Sequence, residues 1–311
     1  MTAFPNEEFR KMVPLLREKG FYESVEPRRI SWPDYSNSLI KEAIETLDFI
    51  RESIDSVEMR SSTNKVGRPL TNPKDLAKAV LISEAFGFTE RGAQGWATLL
   101  GPYVGCTSPL DDRTIGETYE RTEVLLILKE VFERTKDCDG KLCGDGTGLE
   151  TSRKQNYEST KRTGEFMTSI VDSREIVQAF DVSGEQECRA MHRLLEEVYG
   201  NTMRLDAGFN DRELVRKIAE RGIIPFVFPR KDNKLNGSVA WNSMYMNLYL
   251  DVMWWLTEYH QRSHCESFHS SFKTKYGIIT KRRNMSRLSQ ITARIILHNR
   301  RRQSYFKRLS G

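Results

Sequence analysis

Cysteine is scarce in this chain of 311 residues, and the few present do not pair up. The five are scattered, odd in number and never spaced as CxxC, which excludes a disulfide framework or a zinc ribbon and fits a reducing, cytoplasmic setting. Long apolar runs are missing too. The longest, "MYMNLYLDVMWWL", has thirteen residues and contains Asn247 and Asp251, so it is too short and too polar to span a bilayer. No charged-then-apolar leader opens the chain, and there is no internal repeat. Hydrophobic residues make up 38% and charged residues 29%, a globular balance, and the length suggests about two domains.

The third absence is of negative charge. From Ser267 to Gly311 there is no Asp or Glu, yet that segment holds twelve Lys and Arg. Of the 48 basic residues in the chain, the other 36 face 43 acidic ones in the first 266 residues, a net of −7. An acid-free basic tail on an acidic body points to a polyanion, here nucleic acid. The plainer alternative is a solvated basic helix. Lys281, Arg282 and Arg283 ("KRR") and Arg300, Arg301 and Arg302 ("RRR") are the candidate backbone contacts.

Punctuation along the chain separates a helical first part from a mixed second part. "SSTNKVGRPLTNP" reads as a linker, although its Gly67-Arg68-Pro69 is also of the kind that lies in a minor groove. Asn72-Pro73 opens a helix closed by Gly87. Thr89 caps a second, and Asp111 or Asp112 caps a long third through "RTIGETYERTEVLLILKEVFERT". Three such helices suit a helix-turn-helix module within 72–135, and equally an ordinary helical bundle. From residue 139 the order becomes β-β-β-α-β-α-β-α-α, a mixed sheet with helices on both faces. One long helix is expected from about Trp241 to Tyr276, and a last basic one from about Ser286 to Arg302.

The segment "YHQRSHCESFHSSFK", Tyr259 to Lys273, carries three histidines, a cysteine and a glutamate. On a helix at about 100° per residue, Tyr259, Arg262, Glu266 and Lys273 form one polar stripe roughly 60° wide. Trp254, Cys265, Phe268 and Phe272 fall on the opposite, apolar face, which would pack on the sheet. His264 lies about 160° from Glu266, so the two cannot share an ion from one rigid helix. His260 and His264 are four apart, but no third zinc ligand has a recognisable spacing. The histidines are read as surface or phosphate-contacting groups. Glu266 is the better metal ligand, with Asp145 in "LCGDGTG" and Asp206 in "RLDAGFND", each at a strand end beside glycine. Three oxygen ligands suit Mg²⁺ or Mn²⁺, and two such ions suit phosphodiester chemistry.

These residues resemble a known family. Tyr259, Arg262, Glu266 and Lys273 stand at the Y-(2)-R-(3)-E-(6)-K spacing of bacterial and archaeal insertion-sequence DDE transposases. "DGTG" and "DAGF" are similar to that family's first and second acidic motifs. "GRPLTNPKDLAKAVLISEAFGFTERG" and "SPLDDRTIGETYER" are similar to its N-terminal region, so the resemblance covers roughly 65–300. Only 59 residues separate Asp206 from Glu266, too few for the large β-domain inserted in some relatives.

The resemblance implies an α/β fold: an RNase H-like mixed sheet flanked by helices over 138–311, ending in the basic helix, after an all-helical region over 1–137. It implies Asp145, Asp206 and Glu266 as catalytic metal ligands for Mg²⁺ or Mn²⁺, two ions being expected. It implies Tyr259, Arg262 and Lys273 as contacts to the terminal phosphates of the element. The expected activity is cleavage and strand transfer at the element's terminal inverted repeats, with double-stranded DNA as partner. A homodimer assembled on DNA and a cytoplasmic, nucleoid-associated location are expected with it. Two other readings stay open: a nuclease on the same fold, and a transposase-derived DNA-binding protein without catalysis.

Overall fold

A computed structural model of the chain describes residues 5–16, 18, 31–58, 71–108, 110–151 and 165–310. Gly67-Arg68-Pro69 lies outside them. Two compact units divide the chain, and neither is continuous in sequence. A sheet unit comprises Met1–Arg29, Cys138–Gly148 and Phe166–Ser271. A helical unit comprises Ile30–Asp137, Leu149–Glu165 and Phe272–Gly311. No helix among the described residues is long and apolar enough to cross a membrane.

In the sheet unit the strands follow the expected order: β1 (Lys141–Leu149), β2 (Glu165–Val171), β3 (Val177–Asp181), β4 (Thr202–Leu205) and β5 (Ile224–Val227). They pair as β3-β2-β1-β4-β5. β2 and β3 are antiparallel, while β1, β4 and β5 run parallel. The β2–β3 turn is held by Asp172, whose Oδ1 accepts the N–H groups of Arg174 and Ile176 at 2.9 Å each. α7 (Glu187–Leu194) links β3 to β4, and α8 (Arg212–Glu220) links β4 to β5. This is the expected α/β arrangement, a mixed five-stranded sheet flanked by helices and consistent with an RNase H-like fold.

The expected helix from Trp241 to Tyr276 is three helices: α9 (Val239–Leu250), α10 (Val252–His260) and α11 (Ser263–Tyr276). Asp251 ends the first and caps the second, its side chain accepting the Trp254 N–H at 2.9 Å. At the second break Arg262 and Cys265 bond to carbonyls three residues back, Tyr259 O and Arg262 O. Neither break contains Gly or Pro, and a short break barely disturbs a 100° pattern, so periodicity reads through both. Cys265, Phe268 and Phe272 are buried as expected, but Trp254 is 45% exposed, and the next residue, Trp255, takes the core position. The core is built from Phe226, Tyr245, Leu248, Trp255 and their neighbours, and burying a side chain such as Phe226 or Leu248 contributes about 1.5–3 kcal/mol. α1 (Asn6–Leu15) also joins this core through Phe9 and Val13, four apart on one face. A ten-residue helix is marginal alone and gains stability by docking that face.

The helical unit contains α2 (Trp32–Asp55), α3 (Pro73–Phe86), α4 (Glu90–Leu100), α5 (Asp112–Thr118), α6 (Thr122–Thr135) and α12 (Asn284–Ser310). The caps fall where the sequence puts them: Asn72, Thr89 and Asp111 accept the N–H groups of Lys74, Gly92 and Thr114, and Gly87 closes α3 at φ 69°. The long third helix is interrupted between Thr118 and Thr122. There Tyr119 donates its hydroxyl to Glu84 at 2.8 Å and accepts Ser289 at its carbonyl. The largest difference is α12. Read as a basic tail on the catalytic domain, it clusters instead with α3 and α6. Ile291 to Leu297 is buried on every side, and a helix buried all round is the centre of its unit.

Candidate active site

β1 and β4 set the first two acids side by side. Their parallel register ends with Gly144 opposite Leu205, and each of these residues is followed by an aspartate, Asp145 and Asp206. Equivalent residues of paired parallel strands project to the same side of a sheet. β1 is also where the sheet order turns, with β2 on one side and β4 on the other. In open α/β sheets such a switch point, at the carboxyl ends of the strands, is where ligands bind. The flanking glycines sit close against side chains of the site. A Cβ on Gly146 would stand 2.7 Å from the Phe166 ring and 2.8 Å from Glu187 Oε1. One on Gly208 would stand 2.7 Å from Asp206 Oδ1, which accepts the Gly208 N–H.

Arg262 brings in the third acid. Its guanidinium lies 2.6 Å from Glu266 Oε1 and 3.6 Å from Asp145 Oδ2, so both carboxylates face one cation. Glu266 sits in the first turn of α11, where the helix dipole favours a negative charge. Burial pushes the Asp145 carboxyl up to about 6. The charges of Asp206 and Glu266 push the same way, against the Gly146 N–H and Arg262. Three carboxylates with one guanidinium form an oxygen-only donor set short of positive charge. That composition fits a hard divalent cation.

The polar stripe is only partly preserved by the break at Gln261. Tyr259 lies in the last turn of α10 with its ring buried beside Trp255 and Phe228, and burial raises its hydroxyl to about 12. Arg262 lies in the turn, while Glu266 and Lys273 stand two turns apart on α11, with Lys273 exposed. His269, read as a surface group, is a core residue instead, with Nε2 2.8 Å from Ser169 Oγ of β2. One neighbour had no signal in the sequence. Glu187 opens α7, its carboxylate beside Gly146, and its pKa is raised by burial and then by the charge of Asp206. Only the folded connection from β3 to α7 brings it there.

Residues 136–300 match the family described as Transposase DDE domain, slightly more than half of the sequence. The chain belongs to the DDE transposases. It matches no curated protein and no solved structure. Membership carries a transposase-type function, polynucleotidyl transfer on DNA, and a family chemistry that generally uses divalent metal ions.

Many cations of this transposase's tail are paired within the helical unit. Lys281 pairs with Glu90 at 2.6 Å and covers the Tyr119 ring at 3.8 Å. Arg283 pairs with Glu120, Arg287 with Glu165 and Arg294 with Glu84. Arg301 lies 3.7 Å from Glu42, Arg308 lies 2.5 Å from Glu45, and Arg300 stacks on Phe49. Arg302 stacks on Tyr305 and Phe306. Arg282 is exposed. The carboxylates missing from the tail are thus supplied by residues 42–165 of the same unit.

Proposed function

We propose that this transposase belongs to the group marked by Y-(2)-R-(3)-E-(6)-K, and that it cleaves element ends and joins them to target DNA. The observation that carries this reading is the register of β1 and β4, which sets Asp145 beside Asp206. Glu266 is drawn to the same place by the guanidinium it shares with Asp145. Asp145, Asp206 and Glu266 would hold Mg²⁺ or Mn²⁺. A metal held there would supply Lewis-acid activation of the attacking oxygen and charge stabilisation of the leaving one, two ions being the expected number.

The remaining roles belong to side chains. Arg262 holds Asp145 and Glu266 together in the free protein and is the bidentate donor best suited to a strand-end phosphate. Tyr259, packed in the core, supports Arg262 by a hydroxyl contact and its ring face. Lys273 and Arg282, both exposed, are phosphate contacts. End recognition is assigned to α3 and α4, which are joined by the three-residue turn Gly87–Thr89. α4 exposes Arg91, Gln94, Trp96 and Thr98, a surface suited to a groove.

The test is incubation with labelled element ends and a target plasmid, with and without Mg²⁺. Mg²⁺-dependent cleavage followed by joining is expected. Cleavage without joining would make the protein a nuclease, and binding without cleavage would leave only a DNA-binding protein.

A further inference from the structure

A second group of ligand atoms lies outside the carboxylate site, at the other end of the loop that follows β4. Asp211 caps α8 with one oxygen: Oδ1 accepts the Glu213 and Leu214 N–H groups at 2.7 and 3.2 Å. Its other oxygen, Oδ2, lies 3.4 Å from Cys188 Sγ and 3.5 Å from His192 Nε2. Cys188 and His192 are one turn apart on α7, and the three ligand atoms all lie within 4.8 Å of one another. We propose that Cys188, His192 and Asp211 form a binding site for one borderline-soft divalent cation, zinc being the type, with its fourth position open to water.

Two of the distances are those of a tetrahedral site. Tetrahedral zinc with bonds of about 2.3 Å to sulfur, 2.1 Å to nitrogen and 2.0 Å to oxygen sets S and O about 3.5 Å apart, and N and O about 3.4 Å apart. Both separations are already met. A good N–H···O hydrogen bond is shorter, about 2.7–3.2 Å, so the imidazole is poorly served by Asp211 alone. Its other nitrogen, Nδ1, is buried without a hydrogen-bond partner.

The donor chemistry separates this group from the first site. Sulfur and nitrogen suit zinc and are avoided by Mg²⁺, so the two sites sort ions by softness. The thiol must lose its proton on binding. Burial and the Asp211 carboxylate hold Cys188 up at about 11, and only Arg230 opposes them. Uptake therefore releases protons and strengthens as pH rises. Side chains of His192 (21% exposed) and Asp211 (38% exposed) leave an entry path. An ion there would join α7 to the start of α8 across residues 206–211, the loop that begins with Asp206. The inference is independent of the activity proposed above.

Co²⁺ titration of the intact protein in excess Mg²⁺ tests it, because tetrahedral cobalt reports its ligands by absorption. One equivalent is expected to give intense ligand-field bands and a thiolate charge-transfer band, both removed by Zn²⁺. Cys188→Ala and His192→Ala should each weaken Co²⁺ binding by about 100-fold or more, while Cys138→Ala leaves it unchanged. Absence of a thiolate band at saturating Co²⁺, or a band that survives Cys188→Ala, overturns the site. Alkylation of the unmutated chain, mapped by mass spectrometry, guards against variants that fail to fold. Stoichiometric Zn²⁺ should protect Cys188 and not Cys138, and an unchanged Cys188 rate again overturns the site.

Discussion

In the sheet unit Asp145 and Glu266 share one guanidinium and Asp206 adds its charge to Asp145, whereas in the helical unit tail cations meet carboxylates of their own. The contrast is clearest between Arg262 and Arg294. Arg262 is shared, partly exposed and outnumbered by acids. Arg294 is 7% exposed and bonded to Glu84, itself 7% exposed, which also accepts Tyr119 and Gln290. A balanced cluster is what a buried core tolerates, since an uncompensated charge there is costly. An unbalanced one at the rim of a sheet leaves room for added positive charge. The difference in charge balance, more than the number of charges, sets the two clusters apart.

If the unbalanced cluster serves chemistry, removing its acids should hurt activity far more than folding. Replacing Asp145, Asp206 or Glu266 by Ala is expected to lower strand cleavage by about 10³-fold or more, since metal stabilisation of the transition state is worth several kcal/mol. Thermal unfolding should show the variants folded, and binding to element ends should be retained. Mg²⁺-dependent cleavage surviving in one variant would remove that residue from the site.

The balanced cluster should behave in the opposite way. Arg294→Leu strands the buried Glu84 charge and is expected to cost about 3–5 kcal/mol in urea unfolding. Adding Glu84→Gln should recover a large part of that loss. A single variant within 1 kcal/mol of the parent, on the order of an exposed ion pair, would end the distinction between the units.

A third expectation concerns pH. The folded-state value of Asp145, about 6, lies above the ordinary 3.8, so folding favours the protonated form. The resulting penalty is absent below pH 3.8, grows as pH rises, and is complete above pH 6. Asp145→Asn should therefore stabilise the metal-free protein by about 2–3 kcal/mol at pH 7–8. The advantage should vanish near pH 4 and shrink when Mg²⁺ is added. Equal stabilisation at both pH values would mean that the carboxylate charge is not the cause.

The smallest effect separates exposed from paired cations in the tail. Arg282→Ala should lower the salt slope of log DNA affinity by about 0.9, the value for one lost phosphate contact. Lys281→Ala, whose ammonium is already committed to Glu90, should leave the slope unchanged. Equal slopes in the two variants would show that ion pairing inside the unit does not decide which cations meet DNA.

Much of this protein is written in local signals. The caps at Asn72, Thr89 and Asp111, the closing Gly87 and the succession of strands along the chain depend on neighbouring residues and could be read directly. Asp145 and Asp206 were legible as acids beside glycine, but only Asp206 follows a strand end; β1 runs on through Asp145 to Leu149, and it is the pairing with β4 that stops at Gly144. The breaks at Asp251 and Gln261 escaped because a hydrogen-bonded turn without Gly or Pro leaves the apolar period intact. Glu187, and the meeting of Cys188 and His192 with Asp211, escaped because their partners lie on separate elements.

By itself the sequence determined the elements, their order, the residue types available for chemistry and the signature spacing that relates them to a family. Each of these rests on interactions over a few residues. Only the tertiary structure decided which charges stay unbalanced. The acid-free tail looks like a free polycation in one dimension, but α12 is buried among helices whose carboxylates come from residues 42–165. Charge compensation acts through space over a few ångströms. Sequence separation, here up to 263 residues between Glu45 and Arg308, carries no information about it.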